Sequence, residues 1–573
     1  MLRSLKLIRR FSAFEKPFQV LKLGDSQDFS EGVIHKLKIG DKEGNEVAIM
    51  RVNGVPYAVS NKCPHSGAPL HKGYLDRYTI ICPSHHSRFD IRTGEVKTGP
   101  SPLSLKRFEV REGRGLVLAK IYDEDLESVA EPVEAWKYAT YNPANKNHYM
   151  IIGGGPAALS TAETLRKVGF EGAITMLTKE SYLPYDRTVL SKDFSFEPKA
   201  LTLRPQSFYD KLGIEVKLNT EVTEVDPDYN EIITSSGKVY KYTKLCVATG
   251  GKPKVSIDQE IFMGKYKNLI GLRSMDDYFK FKNYIEPTEG VVIVGGSLLG
   301  MELAHALRVK YPSKTISVFD NYHTPLGRHF GPEISNAIVF ASRKVGLNLR
   351  FGHPIDHFMT QDDKVFGVRF NRTAYYSGCV LLCTGAAPVS HFMPESLLNP
   401  DKTIKVDPFM HTIDNNVFAA GDVAKVFDPH TGVFQRCEHW TNAIEQGKAA
   451  ALSMVGLGKL YSGINSYTLK APIEASFVGH NYAADYFYTW YKWKNDDYNV
   501  PKFTILYRGF SAVGVASMNI PNAAAVFKIA LERNLLPSSH AISGPPKNKI
   551  DFETIKARAM SSSLCSCSLA NLI

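Results

Sequence analysis

The chain has 573 residues, an apolar fraction of 44% and a formal net charge of +11. That length predicts several domains, roughly three to five of about 100–200 residues each, and the apolar fraction is that of a soluble globular protein. The positive charge is scattered and lacks basic runs with interleaved aromatics, so nucleic acid is not an expected partner. Eight cysteines at uneven spacing do not make a disulfide scaffold and suit a reducing compartment. No run of about 18 apolar residues predicts a transmembrane helix.

Residues 1–14 carry Arg3, Lys6, Arg9 and Arg10 among Leu2, Leu5, Leu7 and Ile8, with no acid before Glu15. This pattern predicts a mitochondrial transit peptide, processed near Arg9-Arg10-Phe11-Ser12. The alternative is a plain basic arm on a cytoplasmic protein. From 15 to 122 short strands and turns predict an all-β domain. Glu46–Val52 alternates toward Asn53-Gly54, a hairpin turn signal, and Val55 to Val59 returns. Leu103-Ser104-Leu105, Phe108-Glu109-Val110 and Leu116-Val117-Leu118 are expected to close the unit.

Within that domain lie Cys63-Pro64-His65 and, after sixteen residues, Cys82-Pro83-Ser84-His85. Thiolates suit iron–sulfur clusters and zinc, and imidazole suits iron and zinc. Two Cys and two His as C-x-H…C-x-x-H predict a Rieske [2Fe–2S] centre with ligands Cys63, His65, Cys82 and His85. A zinc ribbon is the alternative, but its Cys-x-x-Cys knuckles are absent. The module resembles the Rieske ferredoxin family, which often has glycine where this chain has His86. The extra loop cysteines of high-potential members are missing, which implies a ferredoxin-like centre of lower potential. Residues 123–147, rich in Asp, Glu and Pro, predict an acidic linker.

Next, Tyr149-Met150-Ile151-Ile152 runs into Gly153-Gly154-Gly155-Pro156-Ala157-Ala158 and a helical pattern through Leu159, Ala162, Leu165 and Val168. A second strand, 173–178, ends near Glu180, 22 residues past Ala158. Strand, G-x-G-x-x-A turn, helix, strand and acid together predict a dinucleotide fold, with pyrophosphate at the helix N-terminus and ribose on the acid. The arrangement repeats 142 residues later: Gly290–Val294, then Gly295-Gly296-Ser297-Leu298-Leu299-Gly300, a helix, and a strand ending at Asp320. Ser297 stands where the fingerprint usually has its middle glycine. The acid at Asp320 favours NADH over NADPH, because its charge would repel a 2′-phosphate. Two such folds predict FAD in the first and NAD(P)H in the second.

The run Glu180-Ser-Tyr-Leu-Pro184-Tyr185-Asp186-Arg187, then Leu190-Ser191-Lys192, is similar to flavin-dependent pyridine nucleotide reductases. Ala248-Thr249-Gly250-Gly251, Thr384-Gly385 and Phe418-Ala419-Ala420-Gly421-Asp422 support the same branch, that of apoptosis-inducing factor and oxygenase-system ferredoxin reductases. With the Rieske module in front, the whole chain resembles Rieske-containing apoptosis-inducing-factor-like proteins. The resemblance implies an FAD-binding domain over 148–262 and 391–469, an NAD(P)H-binding domain over 263–390 and an α+β C-terminal domain over 470–544; the polar stretch 545–573 predicts a flexible tail. The resemblance also implies that Gly153, Gly155 and Glu180 hold FAD and that Arg187 and Lys192 lie by the flavin. Lys192 would pair with Glu302, and this pair carries the catalytic expectation. Asp422 would bind the ribityl chain, and Trp440 of Glu438-His439-Trp440 would lie near the rings. Gly295, Gly300, Asp320 and Gly385 would address NADH. Thr188 replaces a usual proline, and the aromatic pair usual near 472–477 is missing. No redox dithiol stands beside the flavin motifs, which excludes disulfide-reductase chemistry.

The expected function is electron flow from NADH through FAD and the [2Fe–2S] cluster to an unidentified one-electron acceptor protein. A cell-death signalling protein and the reductase component of an oxygenase system are the alternatives, and a homodimer is left open.

Overall fold

The computed structural model describes residues 17–561 apart from 41–43, 127, 135–136, 255–264, 429–431, 462, 471, 481–483, 492–499 and 543–550. The expected transit peptide over 1–14 and the motif Cys565-Ser566-Cys567 lie outside the described residues. The chain forms two compact units, parted between Trp136 and Lys137 and again between Asn519 and Ile520.

The first unit is built on two antiparallel sheets. Six strands run in the order Phe18–Asp25, Leu116–Tyr122, Arg107–Gly113, Val55–Ser60, Glu46–Val52, Ile34–Lys38. The expected hairpin is present, with Asn53 and Gly54 both at positive φ (52° and 75°), the turn whose twist matches paired strands. Glu46–Val52 buries both faces: Ala48, Met50 and Val52 pack toward Leu70, Ile80 and Phe89, and Val47 packs toward Phe108 and Ile121. A four-stranded sheet of Tyr74–Asp76, Thr79–Ile81, Arg88–Asp90 and Val96–Thr98 carries the second ligand loop, and the first loop joins Val55–Ser60 to this sheet. The stretch expected as a strand at 103–105 makes only an isolated bridge, Ser104 with Val133.

The expected linker is a packed segment over its first half. It opens with one helical turn, Asp123–Leu126, and Val129 is fully buried beside Ala58, Phe108 and Ile121. The Lys106 ammonium ties it down, bonding Asp125 Oδ1 at 3.0 Å and Ser128 Oγ at 2.7 Å. One buried valine in an acidic stretch has no periodicity to reveal it.

The second unit repeats one architecture twice. A parallel sheet in the order Ile214–Lys217, Ala173–Leu177, His148–Ile152, Lys244–Val247, Val417–Ala419 carries the helices Pro156–Lys167 and Trp440–Met454. A second parallel sheet, Leu269–Ile270, Cys379–Leu382, Gly290–Val294, Thr315–Asp320, Asn348–Phe351, carries the helix Leu298–Lys310. Each is a doubly wound nucleotide fold, and each has a three-stranded antiparallel meander, 222–241 or 355–376, inserted before its last strands. A five-stranded antiparallel sheet, 465–518, closes the unit.

Arg166 locks the first fold. It is fully buried, and its guanidinium donates to the carbonyls of Leu212, Phe170, Gly172 and Gly213 at 2.6–2.9 Å. Burial lowers its pKa to about 10. Arg166→Met leaves four carbonyls without that donor, so unfolding by denaturant is expected at about 3–5 kcal/mol less stability. A loss below about 1 kcal/mol would show that water replaces the guanidinium.

The C-terminal boundaries differ from expectation. The sheet begins at Asn465, and the helix Ala523–Glu532, inside the domain expected over 470–544, belongs to the first unit. Within the expected flexible tail, Phe552–Ser561 is a helix that packs on Ala523–Glu532, with the Phe527 and Phe552 rings 5.6 Å apart.

Candidate functional site

The two ligand loops share one backbone plan. The N–H of Cys63 donates to Ala68 O and that of Gly67 to Cys63 O. Likewise, Cys82 N–H donates to Ser87 O and His86 N–H to Cys82 O. Each loop thus needs a left-handed residue four places after its cysteine: Gly67 at φ 74° and His86 at φ 59°. That accounts for the glycine usual at the second position. The downstream Gly99-Pro100 turn closes over this loop, where Ser101 N–H donates to Ser87 Oγ at 3.2 Å.

These loops bring the four predicted ligands together as two pairs. Cys63 and Cys82 are each 1% exposed, with a hydrogen bond between their thiols. That bond, with the backbone N–H groups of Ser84 and His85, lowers the Cys82 pKa against the opposing effect of burial. His65 and His85 are half-buried, and their Nδ1 atoms stand 3.1 Å apart with the rings edge to face. Two imidazole nitrogens bound to one tetrahedral metal at about 2.0–2.1 Å would be about 3.3–3.4 Å apart. Among the described residues no three His, Cys, Asp or Glu side chains converge on one point. A thiol pair and an imidazole pair fit a binuclear cluster whose two irons take two ligands each.

The nucleotide cradles are similarly matched to each other. A Cβ on Gly153 would lie 2.3 Å from Ala248 O, and one on Gly295 would lie 2.4 Å from Cys383 O. In each fold the loop therefore presses on a neighbouring strand end where a side chain would clash. Gly155, the N-cap of Pro156–Lys167, makes no side-chain cap and has open space where a Cβ would be. The first-turn N–H groups are left for an anion. In the second cradle Ser297 caps its own helix, accepting from Gly300 N–H at 3.2 Å and donating to Cys383 O at 2.9 Å. Gly300 itself packs on Gly295, where a Cβ would be 2.0 Å from the carbonyl oxygen. Asp320 Oδ2 accepts from Gly296 N–H at 2.5 Å and Oδ1 from Tyr322 N–H at 2.9 Å, fixing the carboxylate at the strand end. Gly385, at the neighbouring strand end, faces open space.

Glu180 is the counterpart of Asp320 in the first fold. It accepts from Tyr185 OH at 2.8 Å and from Arg187 Nη2 at 2.6 Å. The structure thus places Arg187 at this carboxylate, with its guanidinium over the Tyr185 ring. The resemblance implies a place by the flavin for Arg187, and the contact with Glu180 ties it to the expected ribose-binding acid of the same fold. Thr188, in place of the usual proline, donates through N–H and Oγ to Asp186 and holds the same turn.

Lys192 and Glu302 meet across the two nucleotide folds, Nζ to Oε2 at 3.7 Å. Ser191 Oγ donates to the other oxygen of Glu302 at 2.5 Å. Asp422 is paired with Arg273 at 2.6 Å, and Arg436 donates to the Asp422 carbonyl at 2.5 Å. The Trp440 indole N–H is buried with no acceptor among the described residues. Where the usual aromatic pair is missing, Phe477 stacks near Tyr467, which stands edge-on to His439 at 4.6 Å. Ser191, Arg273 and Arg436 were not anticipated. Ser191 lies in the Leu190-Ser191-Lys192 motif, but Arg273 precedes an ordinary capped helix, and only the fold brings it to Asp422.

Two nucleotide cradles joined by an ion pair, and a two-Cys, two-His cluster site, define a flavin-dependent pyridine nucleotide reductase with a Rieske centre of its own. The chain belongs to the pyridine nucleotide-disulphide oxidoreductase family, whose model matches residues 147–447, and residues 19–109 match the Rieske [2Fe-2S] domain. Apoptosis-inducing factor 3 of Homo sapiens is 30% identical over 439 residues, 75% of this chain and 70% of that protein. A rubredoxin-NAD(+) reductase of Pseudomonas putida is 27% identical over 54% of this chain and 80% of its own length. The fold matches the crystal structure of the covalent putidaredoxin reductase–putidaredoxin complex with TM-score 0.65 and 23% identity, over 72% of this chain and 99% of that one. FAD and NAD(P)H are the cofactors of the reductase fold, and the Rieske domain implies [2Fe–2S]. No helix of the described residues is long and apolar enough to cross a membrane.

Proposed function

We propose that this oxidoreductase passes electrons from NADH, through FAD and its own [2Fe–2S] cluster, to a one-electron acceptor protein of the ferredoxin type. The observation that carries the reading is the presence in one chain of both a pair of nucleotide cradles, joined by Lys192 and Glu302, and a two-plus-two ligand site. When bound, FAD supplies the exchange between two-electron and one-electron chemistry, and the cluster supplies single-electron transfer.

The residues have distinct tasks. Gly155 and the uncapped turn after it bind pyrophosphate, and Glu180 orients the adenosine ribose. Asp422 and Arg273 hold the ribityl side. Asp320, fixed by two backbone N–H groups, accepts from the ribose of NADH and repels a 2′-phosphate. Glu302, held by Ser191 and Lys192, presents a positioned charge to the reacting rings. His65 and His85, half-exposed beside the buried thiols, form the edge from which the acceptor takes electrons. The similar rubredoxin-NAD(+) reductase and the putidaredoxin reductase–putidaredoxin complex each involve a small electron-transfer protein, which supports this choice of partner. The basic segment 1–14 supports a mitochondrial destination.

Anaerobic addition of NADH to the holoprotein should bleach the flavin and then yield the paramagnetic spectrum of a reduced Rieske cluster. An oxidised cluster beside a reduced flavin would overturn the electron route.

A further inference from the structure

The helix Ala523–Glu532 follows the last strand of the reductase sheet, Ser511–Met518, yet it packs in the first unit. The polypeptide therefore joins the two units twice, at 136–137 and at 519–520. Its contacts in the first unit fall at the bases of the ligand loops. Asn522 Nδ2 donates to the carbonyls of Lys72 and Gly73 at 3.0 and 3.2 Å. Lys72 and Gly73 close the first loop, in which Leu70 N–H returns to Asn61 O and Gly73 N–H to Leu70 O. Arg533 Nη2 bonds both oxygens of Asp76 at 2.8–2.9 Å, and its Nη1 donates to Ala559 O at 3.1 Å. Asp76 pairs with Thr79 in the hairpin whose second strand leads directly into Cys82. Finally, Glu532 Oε2 accepts from Arg88 Nη2 at 3.0 Å, three residues beyond His85.

We infer that this C-terminal helix is a clamp that sets the spacing between the two cluster-ligand loops, with Asn522, Glu532 and Arg533 as positioning residues. The physical reason is the way the loops are joined. Between Gly73 and Cys82 lies only the hairpin Tyr74–Asp76 with Thr79–Ile81, and Tyr74–Asp76 is the edge strand of the four-stranded sheet, paired on one side only. The helix bridges its outer strand, the exit of the first loop and the exit of the second. The pairs are partly shielded: Asp76 and Arg533 side chains are 14% and 24% exposed, and Arg88 and Glu532 are 17% and 31%. Charge-assisted bonds in that setting exceed ordinary surface pairs. The 3.1 Å approach of His65 to His85 joins two separate loops, so any slip between them falls on the imidazole pair.

This inference rests on the cluster reading above, and a charge swap tests it. Full-length Arg533→Asp, Asp76→Arg and the double variant are compared with the native chain, each reduced by dithionite so that the NADH route is not needed. The single variants should change the g-values of the reduced cluster, shift its midpoint potential and speed cluster loss by about three- to tenfold. NADH-to-dye activity should stay within about twofold, since the pair lies outside the reductase unit. The double variant should restore the native spectrum and most of the native retention. Arg533→Lys, which keeps charge without the fork, should fall between. Native spectra, potential and retention in both single variants would overturn the clamp, as would a double variant no better than its parents. No Rieske signal in the dithionite-reduced native chain would instead overturn the cluster reading.

Discussion

Cys82→Ser is expected to abolish the Rieske signal and to lower reduction of a one-electron protein acceptor such as cytochrome c by more than about 100-fold. Reduction of a small dye by NADH should stay within about twofold, because the flavin cleft makes no use of this thiol. The asymmetry follows from where Cys82 sits. It is 1% exposed, its thiol pairs with that of Cys63, and backbone N–H groups of Ser84 and His85 point at the sulfur. A serine oxygen is a harder and more weakly acidic donor, ill suited to an iron–sulfur centre. Parallel loss of dye activity would show that the cluster is structural and that electrons leave from the flavin.

Glu302→Gln is expected to slow flavin reduction by NADH about 100-fold, with the NADH dissociation constant changed by less than about threefold. The carboxylate bridges Ser191 Oγ and Lys192 Nζ, so the amide loses the charge and must turn its NH₂ toward one of two donors. Ser191→Ala should give a smaller loss of about tenfold, since it frees the carboxylate without discharging it. Anaerobic stopped-flow over a range of NADH concentrations separates rate from affinity. Native reduction rates in Glu302→Gln would reduce the Lys192–Glu302 contact to an ion pair between domains.

Both nucleotide folds and both ligand loops were legible residue by residue. Their signals are short-range: glycines that permit close backbone approach at Gly153 and Gly295, a hairpin turn at Asn53-Gly54, prolines after each loop cysteine, and buried parallel strands at 149–152 and 290–294. Such features are set by backbone sterics within a few residues, so spacing alone carries them. His86 shows the limit of this kind of inference. Its departure from glycine was visible, but its left-handed φ of 59° became meaningful only beside Gly67.

The sequence by itself determined the order of modules, the cluster ligand types and the two dinucleotide cradles. The tertiary structure alone decided that His65 faces His85, that Arg187 binds Glu180, that Arg273 meets Asp422, and that the chain beyond Asn519 returns to the Rieske unit. Arg533 and Asp76 are 457 positions apart, and Arg273 and Asp422 are 149 apart. No local propensity links such residues. Their pairing is fixed only when packed sheets bring distant charges within hydrogen-bond reach, where each satisfies a partner that burial would otherwise leave exposed to a desolvation cost.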